Sequence, residues 1–148
     1  MGRQTLTAGF CLLLLTSTAF CAERPDRVFL MIGQSNMAGR AALEATDELP
    51  IEGVMLLDDK GQWIPATNPL NRFASDRKVI AMQRIGPADG FARQLHQYLP
   101  RQSIGLVHNA RGGSSINEWV PGKPLYDHTL ERIRAAGIRR FHGVIWHQ

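Results

Sequence analysis

Short apolar runs without polar interruptions constrain the fold of this chain more than any other sequence feature. The first run, Val28 to Ile32, is apolar at each position and ends at Gly33. Such a run is typical of a strand that is buried on both faces, as in a parallel sheet covered by helices. Further strand-like runs cover 53–57, 103–108 and 141–146, and segments with helical spacing cover 91–99 and about 125–136. The alternation predicts an α/β fold, a three-layer sandwich with a mostly parallel sheet.

Local patterns refine this architecture. The apolar residues of the first helix are predicted to share one face, which comprises Phe91, Leu95, Tyr98 and Leu99. The segment 62–65 is expected to return from a polar turn as an edge hairpin, and 141–146 is expected to be a core strand. The stretch 66–86 lacks a clear period. It is predicted to be a long loop over the sheet, a kind of segment that is often functional.

The first 22 residues differ from the rest of the chain. A single Arg3 precedes a nearly uncharged, leucine-rich stretch, and small residues lie near Cys21. This pattern predicts a signal peptide over 1–22, followed by one domain over 23–148. A transmembrane anchor is the alternative, but the apolar stretch falls short of the roughly 20 residues that a bilayer requires. We therefore expect a secreted or periplasmic protein without stable membrane association, whose mature form lacks Cys11 and Cys21.

The charge distribution bears on possible partners. The chain has a formal net charge of +4 at pH 7 and a sequence pI of about 9.6. Its basic residues are scattered singly or in short pairs, without interleaved aromatic side chains, so we expect no nucleic-acid partner. The five histidines are dispersed and there is no paired cysteine motif, so the sequence predicts neither a metal site nor another cofactor. It carries no signal for a particular oligomeric state.

Three predicted strands are expected to end at one edge of the sheet, where α/β folds place their ligand sites. The loops there begin at Gly33, Asn109 and His147. In the first loop, Ser35 follows the strand, and a tight strand-to-helix turn would hold its hydroxyl group out of the sheet. This arrangement suits a nucleophile, although Met37 stands where the generic G-x-S-x-G elbow has its last glycine. A helix N-cap is the alternative for such a serine.

The block F-L-M-I-G-Q-S-N-M-A-G, from Phe29 to Gly39, closely resembles the nucleophile block of one group of esterases. These are the sialate O-acetylesterase-like SGNH hydrolases, which include the acetylxylan esterases of carbohydrate esterase family 6. Later blocks follow in the family's order: Gly86-Pro87, G-G-S-S-I over 112–116 with Trp119, and Trp146-His147-Gln148. The resemblance implies a flavodoxin-like SGNH hydrolase fold and a serine esterase. Its implied partner is an acetylated carbohydrate, such as acetylated xylan or an O-acetylated sialic acid.

The resemblance also implies roles for individual residues. Ser35 matches the nucleophile. Gly113 matches a glycine whose backbone N–H stabilises the tetrahedral oxyanion, with Gly112 as the alternative, and Gln148 matches a side-chain amide donor to the same oxyanion. Flanking residues of these blocks are predicted to contact the substrate: Gln34, Asn36, Gly112, Ser114 and Trp119. Core packing is the alternative for Trp119.

A serine esterase of this kind also needs a general base, the histidine of its catalytic triad, and the blocks quoted above do not supply it. In the family it comes from a later D-x-x-H block, and the histidine that matches His147 supports its loop. His96, His108 and His128 are predicted to be structural. We therefore expect this chain to be truncated at its C-terminus and, by itself, to be a poor esterase with a partly uncovered sheet. A non-catalytic carbohydrate-binding domain or pseudoenzyme is the alternative function.

Overall fold

The computed structural model describes residues 24–148. The predicted signal peptide over 1–22, together with Cys11 and Cys21, lies outside these residues. Within 24–148, no helix has the length and apolar character that crossing a bilayer requires.

One sheet and three α-helices form the described part of the chain. The strands are β1 (Arg27–Gly33), β2 (Val54–Leu57), β3 (Trp63–Pro65), β4 (Ile104–Ala110) and β5 (Gly143–His147). The helices are α1 (Ser35–Ala38), α2 (Pro87–Tyr98) and α3 (Pro124–Ala135), and 3-10 turns cover Ala45–Glu48, Leu70–Phe73, Ile80–Met82 and Ile116–Trp119. The sheet order is β3-β2-β4-β1-β5, and β3 alone runs antiparallel to its neighbour. The predicted α/β fold with a mostly parallel sheet and an edge hairpin is confirmed.

Each face of the sheet packs into its own apolar cluster. Neighbouring residues of a strand point to opposite sides, so one strand supplies residues to both clusters. On one side the strand residues pack with α1 and α2, in a cluster that includes Met31, Leu56, Leu106, Met37, Ala88 and Ala92. On the other side they pack with β3 and α3, in a cluster that includes Leu30, Leu57, Val107, Trp63 and Ile133. Each central strand contributes adjacent residues to the two clusters. An unbroken apolar run therefore serves two cores, which explains the layered sandwich.

The buried face of α2 differs from the predicted one. Ala88 and Ala92 are its fully buried residues, whereas Tyr98 in the last turn is 82% exposed. The prediction that Tyr98 belongs to the packed face was therefore wrong. The small side chains of Ala88 and Ala92 are completely buried against the sheet, and the predicted residues Phe91 and Leu95 pack beside them, partly buried, against the same cluster.

The last strand, β5, lies at an edge of the described sheet. It pairs with β1 alone among the described strands, and Val144 and Trp146 remain 57% and 37% exposed. These are the last described residues, so the prediction of a core strand over 141–146 stays a prediction. A short apolar run has the same pattern in a central strand and in an edge strand, and the position is set by pairing between distant segments.

Asn71 connects the long loop over 66–86 to the sheet. Its side chain is fully buried, and its amide exchanges two hydrogen bonds with the backbone of Ala110, both of 2.9 Å. Asn71 Nδ2 also donates to Gln83 Oε1 at 2.7 Å, and Gln83 Nε2 donates to the carbonyl groups of Lys78 and Val79. The path of the loop is thus fixed by polar side chains, which leave no periodic signal in the sequence.

Replacing Asn71 with leucine, which has a similar volume, should lower the free energy of unfolding by about 3 kcal/mol, because the buried N–H and carbonyl groups of Ala110 lose their partners. Urea denaturation measures this change. The matched control is Asn117→Leu, since Asn117 is exposed in a 3-10 turn and should change stability by no more than about 0.5 kcal/mol. Equal effects of the two substitutions would contradict the assigned role of Asn71.

Candidate active site

The loops that follow β1, β4 and β5 meet at one edge of the sheet, as the sequence predicts. β1 lies between the other two strands, and its last residue, Gly33, pairs with Ala110 on one side and His147 on the other. The Gln34 N–H donates to the His147 carbonyl at 3.0 Å, and the Arg111 N–H donates to the Gly33 carbonyl at 3.0 Å. Backbone hydrogen bonds therefore hold the starts of all three loops in a fixed relation.

Gly33 is required by the close approach of β1 and β5. Its φ of +134° lies in a region that side-chain-bearing residues rarely adopt, and a Cβ atom there would overlap the backbone of His147. The absence of a side chain lets the chain turn sharply from β1 into α1. This turn places Ser35 at the edge of the sheet.

Ser35 begins α1 and is partly buried. Its hydroxyl group donates to Gln34 Oε1 at 2.8 Å, and its backbone N–H donates to the same oxygen at 3.1 Å. The amide oxygen of Gln34 thus accepts hydrogen bonds from both the hydroxyl group and the backbone N–H of Ser35. In acyl transfer a serine nucleophile uses the first to attack and the second to bind the oxyanion. Asn36 is exposed on the outer side of this short helix, whereas Met37 and Ala38 anchor it in the core.

His108, in the middle of the sheet, fixes the position of α1. Its Nε2 lies 3.1 Å from the Met37 carbonyl and donates to it. The imidazole is completely buried, and its Nδ1 has no hydrogen-bond partner among the described residues. Burial lowers the pKa of His108 to about 3, so the ring is neutral at physiological pH. The contact joins β4 to the carbonyl group two residues after Ser35.

The glycine-rich loop after β4 brings Gly112 against the serine. A Cβ atom on Gly112 would lie 3.7 Å from Ser35 Cβ and would overlap the guanidinium group of Arg40. Gly113 has a φ of +78°, and a Cβ atom there would lie 3.4 Å from Lys78 Nζ. Gly112 is therefore the glycine that adjoins the Ser35 side chain, and Gly113 is the exposed turn residue beside it. The oxyanion role inferred for Gly113, or for Gly112, stays a prediction.

Ser114 is the polar centre of the same loop. Its hydroxyl group donates to the Arg111 carbonyl at 2.8 Å and accepts from Trp119 Nε1 at 3.0 Å, and its own carbonyl accepts from Gln148 Nε2 at 2.8 Å. Trp119 is mostly buried and meets the ring of Trp146 edge-on, with centroids 5.4 Å apart. The structure thus gives these side chains contacts that stiffen the loop. Their predicted contacts with the oxyanion or the substrate stay predictions.

Two cationic residues beside the serine were not singled out from the sequence. Arg40 Nη1 donates to the carbonyl groups of Gly39, at 2.6 Å, and Met82, at 3.2 Å, which holds its guanidinium group against Gly112. Lys78 reaches Gly113 from the long loop. Arg40 directly follows the nucleophile block and could have been found from that position. Lys78 carries no comparable signal, because a distant loop brings it to the site.

Three other histidines, His96, His128 and His142, make structural contacts, and no histidine within 24–148 hydrogen-bonds to Ser35. His128 Nδ1 pairs with Asp76 at 2.9 Å, and this hydrogen bond raises the pKa of His128. His96 Nδ1 lies 3.3 Å from the Gln102 carbonyl, and His142 Nδ1 accepts from the Val28 N–H. No group of three or more His, Cys, Asp and Glu side chains in this part of the chain is arranged to hold a metal ion.

Comparison with known proteins adds independent findings. Residues 25–148 match the model of a family described as carbohydrate esterase, sialic acid-specific acetylesterase. A probable carbohydrate esterase of Arabidopsis thaliana is 31% identical, in a match that covers 84% of this chain and 54% of that protein. The crystal structure of an Arabidopsis thaliana protein has a TM-score of 0.71 at 27% identity and covers 83% of this chain and 57% of its own. The chain thus spans about half the length of these relatives.

The buried neutral His108 should make stability depend on pH. Its pKa is about 3 in the folded protein and has its ordinary value near 6.5 in the unfolded chain. The unfolded state therefore binds more protons between these values, and stability falls as the pH drops from about 6.5 towards 3, by about 1.4 kcal/mol per pH unit. His108→Gln, which keeps a side-chain amide donor, should remove this part of the slope in urea denaturation at several pH values.

His128→Gln is the matched control. The raised pKa of His128 means that its contribution is complete below its ordinary pKa and is lost as the pH rises, so this variant should keep the wild-type slope below about pH 5. An unchanged acid slope in His108→Gln would contradict the assignment of a buried neutral imidazole.

Proposed function

Since the chain belongs to the carbohydrate esterase family described as sialic acid-specific acetylesterase, we propose that it supplies the nucleophile of a serine esterase that removes acetyl groups from carbohydrate. The observation that carries the proposal is the placement of Ser35. It lies at the carboxyl edge of the parallel sheet, in a turn that Gly33 makes possible, with Gly112 packed against its side chain. A carbohydrate esterase function is the general activity of the family. The substrate and the roles of Ser35, Gly112 or Gly113, and Gln148 are part of our proposal.

In this proposal the Ser35 hydroxyl oxygen attacks the acetyl carbonyl carbon. The general base takes the Ser35 proton and passes it to the sugar oxygen. The bond between that oxygen and the carbonyl carbon breaks, and the sugar leaves with a free hydroxyl group. Water then attacks the acetylated Ser35, which releases acetate and restores the serine. Covalent catalysis divides one difficult step into two easier ones. The proposed source of the general base is the later D-x-x-H block of the family.

Three donors are proposed to bind the oxyanion: the backbone N–H of Ser35, the backbone N–H of Gly112 or Gly113, and the side-chain amide of Gln148. The Ser35 N–H supports this assignment, because it already donates to a carbonyl oxygen, that of the Gln34 amide. A substrate carbonyl would take the place of this oxygen. Gln148 would have to turn from the Ser114 carbonyl, to which it now donates. One such donor is worth roughly 3 to 4 kcal/mol in the transition state.

Positive charge near Ser35 supports the same chemistry. The guanidinium group of Arg40 lies against Gly112, and the ammonium group of Lys78 lies beside Gly113. In this proposal the two cations favour the negative charge that develops on the carbonyl oxygen during attack. The proposed substrate is acetylated xylan or an O-acetylated sialic acid, and the proposed export of the protein through its first 22 residues would bring it to such material outside the cytoplasm.

A carbohydrate-binding function without catalysis is the second candidate. The observation that favours it is the hydrogen bond of the Ser35 hydroxyl group, whose partner among the described residues is the Gln34 amide oxygen and not a histidine. A serine in this state is not activated for attack. The two candidates differ in one measurable property, the formation of a covalent acyl-enzyme.

Ser35→Ala in the full-length gene product should abolish the release of acetate from acetylated xylan, acetylated sialic acid and 4-nitrophenyl acetate. Loss of a nucleophile removes the covalent route, and a triad that loses one member can lose on the order of 10⁶ in kcat. The melting temperature should stay close to that of the wild type, because the Ser35 side chain packs little apolar surface.

Ser103→Ala is the matched control, since Ser103 lies at the opposite end of β4 and its side chain hydrogen-bonds to Asp26, away from Ser35. It should keep full activity. A fluorophosphonate that labels the wild type and Ser103→Ala but not Ser35→Ala would identify the nucleophile. Turnover that survives in Ser35→Ala would refute the proposal, and binding of acetylated sugar without label or turnover would support the non-catalytic candidate.

A further inference from the structure

A second cavity lies away from Ser35, between the β2–β3 turn, the first part of the long loop and α3. Its volume is about 470 Å³, within the range of sites that enclose a small organic ligand. Lys60 and Asp59 line it from the turn, Arg72 and Arg77 from the loop, and His128, Glu131 and Arg132 from α3. Five of these seven side chains are basic. In the described structure none of these side chains hydrogen-bonds to Ser35, Gly112 or Gly113.

Two arginines of this cavity, Arg72 and Arg132, are held by carbonyl and hydroxyl groups and not by carboxylates. Arg72 Nη1 donates to the backbone carbonyl and the hydroxyl group of Thr67, and Arg132 donates to the carbonyl groups of His108, at 2.7 Å, and Leu57. The ion pairs within 24–148 are Arg93 with Asp89 and His128 with Asp76. In the described structure, therefore, no arginine of the cavity has a carboxylate in direct contact.

This arrangement leaves positive charge partly desolvated. Burial lowers the pKa of Arg72, and it lowers that of Arg132 to about 10 although the nearby carboxylates of Asp58 and Asp59 act in the opposite direction. Arg132 Nε is buried without a hydrogen-bond partner among the described residues. A guanidinium group that has lost water without gaining an anion is less stable than one that is paired. An anion in the cavity would recover part of this free energy through charge-assisted hydrogen bonds.

Lys60 and Arg77 complete the arrangement at the exposed rim of the cavity. No side-chain hydrogen bond or ion pair to a described residue holds either group, so both can turn towards a ligand at little structural cost. The ring of Phe73 and the hydroxyl group of Ser75 also line the cavity. This volume is much larger than a bare inorganic ion and can hold a sugar ring, which would meet both apolar and hydroxyl groups.

We propose that the cavity between Arg72, Arg77, Lys60 and α3 is a binding site for an acidic sugar, a uronate or similar residue whose carboxylate faces these cations, which outnumber the carboxylates of Asp59 and Glu131 in the lining. That the ligand is a sugar rests on the proposed carbohydrate esterase function, whereas that it is an anion rests on the basic lining of the cavity alone. Such a site would hold a charged residue of a longer saccharide at a distance from the acetyl group that reacts.

Titration calorimetry at low ionic strength tests the proposal with glucuronate, glucose and inorganic phosphate as separate ligands. Glucuronate should bind saturably and glucose should not. The double substitution Lys60→Gln and Arg77→Gln should weaken glucuronate binding at least tenfold, a change of about 1.4 kcal/mol in binding free energy. Both positions are exposed, so the variant should fold normally, which its melting temperature checks.

Two controls separate this site from the rest of the basic surface. Arg139→Gln with Arg140→Gln removes the same charge at exposed positions outside the cavity, and Arg40→Gln removes the cation beside Ser35. Both should change glucuronate affinity less than twofold. Ser35→Ala should bind glucuronate normally, so failure of the esterase proposal and failure of this one are distinguishable.

Three results would overturn the inference. The first is the absence of saturable glucuronate binding. The second is equal weakening in the cavity variant and in either arginine control, which would indicate a general charge effect. The third is phosphate binding that depends on Lys60 and Arg77 without glucuronate binding, which would assign the cavity to a small inorganic anion.

Discussion

The parallel pairing of β1 between β4 and β5 is the constraint on which the candidate site depends. The pairing brings Gly33, Ala110 and His147 into one row at the carboxyl edge of the sheet. Side chains just beyond this row come from three segments that are far apart in the sequence. The row is possible because Gly33 has no Cβ atom to collide with His147, so a single backbone requirement determines where Ser35 lies.

Buried polar side chains hold the loops in place against the strands of this sheet. Asn71 holds the long loop against Ala110, and Asn109 accepts from the Ser75 N–H and bonds to Thr129 on α3. His108 performs the same task for α1 through the Met37 carbonyl. Loops that cross strand ends carry backbone groups that the sheet cannot satisfy, and these side chains satisfy them. Because these side chains are buried, losing any of their hydrogen bonds would cost free energy, so the loops stay in one conformation around the site.

The basic character of the chain is organised by the fold. Arg40 and Lys78 lie beside the glycine-rich loop, while Arg72 and Arg132 line the neighbouring cavity. Arg40, Arg72 and Arg132 are held by carbonyl oxygens, which position a guanidinium group without neutralising it. Positive charge therefore remains available to ligands at the edge of the sheet where the strands end. The net charge of +4 gives no hint of this concentration.

The sequence by itself determined the strands, the helices and the turn that carries Ser35. Each follows from a local cause: an apolar run, a helical period, or a glycine at the end of a strand. Only the tertiary structure decided that β5 pairs with β1, that Ala88 and Ala92 are completely buried in α2 while Tyr98 is exposed, and that Gly112 adjoins Ser35. Arg40, Lys78 and the basic cavity also emerged only there. Pairing between segments dozens of residues apart fixes these features, and local sequence patterns carry no record of which distant segments will meet.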